Sequence, residues 1–538
     1  MKTVCYIARR NCLLLLRSVR FGVALLLCLV FVPISVLDGT DDYHARQAEY
    51  IRAVAANDSV LQSAHVWSAV RPTTVKRTEP LGALGRGVQS EVGIYNMVKL
   101  SEYPLLPQSF PGGSPSVFGI THTQLLGEAG GHENPFFNAF TATDFLTLTA
   151  WLFPLLALLF SYDAFTAERE AGTLRMVFSE PVGRGTLLAG KLLGIGMLLV
   201  PLAVLCYALA AGCLLAGDIP MNAYDWQAWG LMMLLTVALT GGCIVSGLLV
   251  SLYFRRSADA LAVAMLLWAV MTFVVPAISG YLAETVSPLP LYRNVERALW
   301  QLNDERDDRL REWRRKCRKR YPISTFFAQF NHQDDDDNYV EKWGFTHDLA
   351  RYLCHYHSVS ELIRIDYANR KWDLQRSYLE RMERQLRLRF ALSCLSPLGW
   401  FEEAGQRLCR TSAHDCLTYM EEVRDYRFRV LDFFRDNKLF GSLRYFTTQQ
   451  ESELSTQEEL QQFDEAYQRM SDEEKRAVWK PFLERPLLDI SALPRFRQQE
   501  AGIRETGRWA AGTLLAYAAL AALLAGVAIR RMKRYDVR

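Results

Sequence analysis

Six stretches of this 538-residue chain contain no Asp, Glu, Lys, Arg or His: residues 21–37, 145–162, 192–216, 226–254, 260–282 and 509–529. A hydrocarbon core of ~30 Å takes about 20 apolar helical residues to cross. One Arg or Lys at the centre of a span costs about 2.5–3.5 kcal/mol on the insertion scale, so charge-free runs of this length predict six transmembrane helices. No small-residue cleavage site follows the first run and five more runs come after it, so it reads as a span and not as a removed signal. The missing charges also exclude a mechanism. Ion- and proton-driven carriers place ionisable groups at membrane depth. These runs offer none, so the energy for any transport is expected from outside the chain.

Catalytic patterns are equally scarce. There is no HExxH, no GxSxG and no tight Ser/His/Asp grouping, which leaves an intramembrane or extracytoplasmic enzyme without a constellation. The spacing G-x4-G-K does occur at Gly185, Gly190 and Lys191. Leu192, however, stands where a phosphate loop needs its Mg²⁺-binding hydroxyl, and no strand precedes the motif. ATP hydrolysis is therefore expected in another chain. Cys354 and His357 share a helix face, with His347 the next candidate ligand, but no second tight cluster converges on them as a metal site requires. The four aspartates 334–337 with Asn338 lack the alternation and glycine of a calcium loop. No cofactor or metal is expected in this chain.

Basic residues are present but unevenly placed. The N-terminus carries Lys2, Arg9, Arg10, Arg17 and Arg20, with no acid before Asp38. Arg255 and Arg256 follow the fourth run, and Arg530, Arg531, Lys533, Arg534 and Arg538 follow the sixth. The short loop after the third run has Asp218 and Asp225 and no base. The excess of Lys and Arg in cytoplasmic loops then places residues 1–20, 163–191 and 530–538 in the cytoplasm. Net charge is only +3, and no nucleic-acid surface is expected.

Residues 38–144 and 283–508, about three-fifths of the chain, fall on the other side. The first region combines a helical start at residues 43–60 with a Gly/Pro/Ser-rich loop at 106–116. The second reads as helical: Val295, Leu299, Leu302, Leu310 and Trp313 share a face, as do Ile365, Ala368, Trp372, Leu379, Met382 and Leu386. Ser455 with Glu458, and Ser471 with Glu474, have capping-box spacing. Of the eleven cysteines, five lie in this region. Cys409 and Cys416 are its best local pair for a disulfide if the compartment oxidises thiols, although an odd count leaves one thiol over.

Between the second and third runs lies FSYDAFTAEREAGTLRMVFSEPVGRGTLLAGK, residues 160–191. Residues 163–177 are expected to continue the second span as a helix, with Ala164, Phe165, Glu168, Ala171 and Leu174 near one face. Gly172 and Thr173 loosen its last turns, and Pro181, Gly183 and Gly185 then turn the chain back. A short helix with an aromatic base and the charges Glu168, Arg169, Glu170 and Arg175 suits a groove in a cytoplasmic partner. The alternative is an interfacial helix with snorkelling charges.

This segment closely resembles the cytoplasmic loop of ABC-2 type permeases, the membrane subunits of a class of ABC transporters. Asp163, Glu168, Arg169, Gly172, Thr173, Leu174, Ser179, Pro181, Val182, Arg184, Gly190 and Lys191 occupy that family's pattern. Gly183 stands where Ser is common. Further stretches resemble the branch with large extracytoplasmic insertions between spans one–two and five–six: NPFFNAFTATDF (134–145), the Cys-bearing SPLGWFEEAGQRLCRTSAHDCLTYMEEVRDYR (396–427), LPRF (493–496) and the terminal YDVR (535–538). Relatives include permeases of gliding-motility systems and, more distantly, of nitrous-oxide-reductase maturation. The resemblance implies a mainly α, polytopic inner-membrane protein of bacteria, with six spans, two extracytoplasmic insertions and both termini cytoplasmic. It implies that Asp163, Phe165, Glu168, Arg169, Glu170, Gly172, Thr173, Leu174, Pro181 and Arg184 couple the spans to a separate ABC ATPase subunit, which holds ATP and Mg²⁺. It also implies a second permease subunit, identical or related. The large insertions favour an extracytoplasmic partner as well. The expected function is ATP-driven transport, as an exporter. The runner-up keeps the architecture but delivers force or assembly to the outer partner without moving a solute.

Overall fold

The computed structural model describes residues 2–87, 95–97, 144–179, 183–289, 292–321, 330–333, 339–343, 345–483 and 485–533. The loop expected at 106–116, Pro181, the aspartates 334–337 and the terminal YDVR lie outside the described residues.

Among the described residues, six helices are long and apolar enough to cross a membrane, and each contains one of the six charge-free runs to within one residue. A short helix α1 (Lys2–Leu16) precedes them. The first span is the lower part of α2 (Val19–Gln62), which continues unbroken for 44 residues through the expected helix at 43–60. At 1.5 Å per residue that is a rod of about 66 Å. Next come α3 (Phe145–Ser161), two short helices α4 (Thr166–Glu170) and α5 (Thr173–Ser179), then α6 (Arg184–Ala216) and α7 (Ala223–Tyr253). Asp144 starts α3 by accepting from the Thr147 N–H at 2.8 Å. Asn222 and Asp225 cap α7 reciprocally.

Small residues allow close packing here. Gly247 of α7 faces Ser161 of α3 so tightly that a Cβ at position 247 would overlap the Ser161 hydroxyl. Tyr207 on α6, fully buried, bonds Thr236 on α7 at 2.7 Å. The buried hydroxyl is thus satisfied inside the bundle, as burial requires.

The fifth span is built from α8 (Ser257–Ala269), a π turn (Val270–Val274) and α9 (Val275–Val286). Pro276 has no N–H to offer the carbonyl five residues back, at Met271. The Ser396 hydroxyl donates to that carbonyl at 3.1 Å instead. This span leaves Leu266, Phe273, Ile278 and Tyr281 exposed. The sixth is α16 (Ile503–Lys533), packed along α7.

Between the fifth and sixth spans, α10 (Tyr292–Arg320) and α11 (His347–Ser393) form an antiparallel hairpin. Trp313 Nε1 donates to the Tyr356 carbonyl at 3.2 Å, and Tyr367 donates to Glu305 at 2.8 Å. The apolar face expected on α11 is buried at Ile365, Ala368, Trp372 and Met382. An aromatic core follows, in which Tyr419, Tyr426 and Phe434 of α13 (Ala413–Asp436) meet Phe345, Tyr356 and Phe446. Leu61, Ala64 and Trp67, at and beyond the far end of α2, pack into the same core. Two small antiparallel pairings, Thr73–Val75 with Tyr95–Met97 and Phe330–Gln333 with Tyr339–Trp343, are the strands among the described residues.

Three expectations are revised. The helix α12 (Pro397–Leu408), read as part of an outer domain, packs against α3, α7 and α16. The Tyr517 hydroxyl on the sixth span donates to the Pro397 carbonyl at 2.7 Å, and Gly405 admits the side chain of Leu146. The cap of α14 (Gln457–Arg469) is Thr456 with Glu459, one residue beyond the Ser455–Glu458 pair. Ser455 is taken up by its backbone, which donates to the Phe345 carbonyl at 3.2 Å. Ser471 and Glu474 do cap α15 (Asp472–Leu483) as expected. Finally, Cys409 and Cys416 are both free and buried. Cys409 closes α12 with its sulfur 3.7 Å from that of Met232, whereas Cys416 lies beyond a left-handed turn at Arg410 (φ 56°) in the first turn of α13.

Candidate functional site

Residues 163–177 do not continue the second span as one helix. The backbone N–H groups of Phe165 and Thr166 both donate to the Ser251 hydroxyl of α7, at 2.9 and 3.2 Å. That pulls the chain off the α3 axis and starts α4. A second break falls at Gly172, whose φ of 71° is left-handed and strained for any side chain. The result is two short helices at an elbow.

Five charged residues among the described part of this loop each engage a different span. Asp163 holds Arg20 of α2 at 2.7 Å, and that guanidinium lies 5.2 Å over the Tyr162 ring. Glu168 holds Lys191 of α6 at 2.7 Å. The Lys191 side chain is buried; its ammonium sits 4.6 Å from the Phe165 ring centroid and donates to the Ala164 carbonyl. Arg169 donates to the Phe254 carbonyl at the end of α7. Glu170 accepts from the Ser257 N–H at 2.7 Å and the Ser257 hydroxyl at 2.8 Å. It thereby caps α8 from outside the helix, satisfying a donor that the helix leaves free. Arg184 donates to the Met532 carbonyl at the end of α16 at 2.8 Å. Five spans are thus tied to one loop by side chains, and the second, α3, leads directly into it.

Phe165, expected on the docking face, is fully buried beneath Lys191, and Leu174 is buried as well. Thr173 donates back to the Glu168 carbonyl at 3.2 Å, bracing the elbow. Among the described residues, the exposed surface of the two short helices includes Ala167, Glu170, Ala171, Gly172, Thr173 and Met176, the last 74% exposed. Gly185 to Lys191, the phosphate-loop lookalike, is the first turns of α6 and not a loop. Sequence reasoning missed Arg20, Ser251, Phe254 and Ser257 as partners. The acid-free N-terminus held a signal for Arg20, but hydroxyls and carbonyls at helix ends carry none.

At the opposite end of the bundle a second charged cluster closes the structure. Arg410 donates to Glu79 at 3.3 Å, to Glu500 at 2.8 Å and to the Ala501 carbonyl at 2.6 Å. Its guanidinium stacks 3.7 Å over the Tyr224 ring. Burial pushes the Glu79 carboxyl up to about 7, against the pull of Arg410. This cluster pins the segment after α2 to the α12–α13 turn and to the approach of the sixth span. The His355 ring stacks near Trp313 and Tyr321, and His357 near Tyr445 and Phe446, so both imidazoles are packed among aromatic rings.

A family model described as ABC-2 family transporter protein matches residues 7–425. A probable ABC transporter permease protein NosY from Pseudomonas aeruginosa is 42% identical over 76 residues, 14% of this chain and 28% of that protein. A probable ABC transporter permease protein NosY from Stutzerimonas stutzeri is 33% identical over 138 residues, 25% of this chain and 49% of that protein. The chain thus aligns with about half or less of the length of these curated relatives.

Proposed function

The chain belongs to the ABC-2 family of transporter proteins, and on that premise we propose that it is the permease subunit of an ATP-driven exporter in a bacterial inner membrane. A separate ABC ATPase subunit, holding ATP and Mg²⁺, docks on residues 163–191. Two permease subunits pair with two ATPase subunits, and both termini share the ATPase side. The observation that carries this reading is the division of labour in the loop. Five of its charged side chains are occupied with five spans, and its elbow at Gly172 and Met176 is left outward. ATP-driven closure of the ATPase pair would move the elbow, and the buried ties would deliver that movement to every span. Asp163, Glu168, Arg169, Glu170 and Arg184 then act as transmission residues, while Gly172, Thr173 and Met176 meet the partner.

Co-expression with the ATPase tests this. Met176→Glu should abolish co-purification. Glu168→Gln should leave co-purification intact but remove stimulation of ATP hydrolysis. Co-purification unchanged by Met176→Glu would count against the docking site.

A second reading, force delivered outward without solute movement, is favoured by α2. One unbroken helix runs from Arg20, bound to the loop, to Leu61 in the outer aromatic core. ATP hydrolysis coupled to a shift of the outer domain, with no solute entering inverted vesicles, would select this alternative.

A further inference from the structure

The helix α1 uses one face and leaves the other without cover from the described residues. Its inner face docks on α6 through small residues. A Cβ at Gly190 would lie 2.7 Å from Ile7, and one at Gly194 would lie 2.8 Å from the Ala8 carbonyl, so glycine is what allows the approach. Ala8 is buried there, and Leu15 packs on the bundle core. The opposite stripe, at three- and four-residue spacing, is Lys2, Tyr6, Arg9, Arg10, Leu13 and Arg17. Tyr6 is 71% and Leu13 48% exposed, and the four bases are exposed. No acid occurs in the chain before Asp38. Arg20, by contrast, is already bound by Asp163.

A stripe that alternates exposed rings and aliphatic chains with exposed cations fits neither water nor a protein interior. It fits the boundary where acyl chains meet headgroups, and net positive charge selects anionic headgroups. The position agrees. Ser18, whose hydroxyl bonds the Leu15 carbonyl at 2.6 Å, turns α1 directly into the first span, and α1 lies against the end of α6 that carries Lys191. We infer that the outward face of α1 is a binding surface for anionic phospholipid, with Arg9, Arg10 and Arg17 on the headgroup phosphates and Tyr6 and Leu13 among the upper acyl carbons. The inference requires only that the bundle sits in a membrane, so it stands or falls apart from the ATPase reading.

The test uses the full chain in detergent, with its thermal midpoint titrated by phosphatidylglycerol, by phosphatidylcholine and by inorganic phosphate. Phosphatidylglycerol should bind at least tenfold more tightly than phosphatidylcholine. Replacing Arg9 and Arg10 by Gln should weaken it by about fivefold per removed charge, while Arg9→Lys with Arg10→Lys keeps it. If the neutral variant does not fold, the wild-type preference should still collapse at high salt. Equal affinity for both lipids, a preference that survives neutralisation or salt, or the same shift from phosphate alone would each overturn the proposal.

Discussion

The Lys191 ammonium and the Glu168 carboxylate meet at 2.7 Å, with the lysine 4% exposed and the glutamate 35%. The shielding extends to both partners, because the Glu168 Oε2 is itself closed off from solvent. Glu168→Gln removes the counter-charge of a buried cation, which keeps the Ala164 carbonyl and the Phe165 ring, and Lys191→Met leaves a carboxylate with a shielded oxygen. Each should cost about 3–5 kcal/mol, the range for breaking a buried pair from one side. The double variant should cost less than the sum of the two. Thermal unfolding of the four proteins checks this as a double-mutant cycle.

Gly172 has open space where a Cβ would stand, so Gly172→Ala meets no clash and only the backbone cost of φ 71°. That cost is about 1–2 kcal/mol. Gly172→Pro cannot adopt the angle at all. Hydrogen exchange across 166–179 should speed up modestly for Ala and strongly for Pro, with the spans unchanged.

The contact between Gly247 and Ser161 sets the approach of α3 to α7. Gly247→Ala should lower the melting temperature, since overpacking typically costs about 1–3 kcal/mol. Adding Ser161→Ala removes the overlapping hydroxyl and should recover part of the loss. No recovery in the double variant would mean that the helices do not meet there.

Glu79 gives a pH dependence with a definite sign. Its folded pKa, about 7, lies above the ordinary value of 4.5 because of burial. The folded state therefore binds more protons than the unfolded one between those limits, and this contribution to stability falls as pH rises from about 4.5 to about 7. The contribution is at most about 3 kcal/mol at 1.36 kcal/mol per unit. Melting temperatures from pH 4.5 to 8 should show the slope in the wild type and a flatter line in Glu79→Gln.

Much of this architecture was legible in the chain. The six charge-free runs named the spans because lipid penalises every charge, and the helical start at 43–60 proved to be the same rod as the first span. The loop 163–191 was located by its residues, yet its orientation was not. Phe165 and Glu168 looked like a docking face, but Ser251 and Lys191 draw them inward. The weak point at Gly172 and Thr173 was legible, and a left-handed break falls there, but nothing local marks Gly405 as a glycine that permits packing. The return of α12 into the bundle depends on Tyr517 and Leu146, more than a hundred residues away, and pattern within α12 cannot report such partners.

A photo-reactive residue at position 176, in cells that also make the ATPase, tests the central claim most directly. The account predicts an adduct between this chain and the ATPase subunit, stronger than any formed from an exposed position on a span such as Tyr281. Adducts from position 176 that contain lipid or unrelated protein and never the ATPase would contradict it.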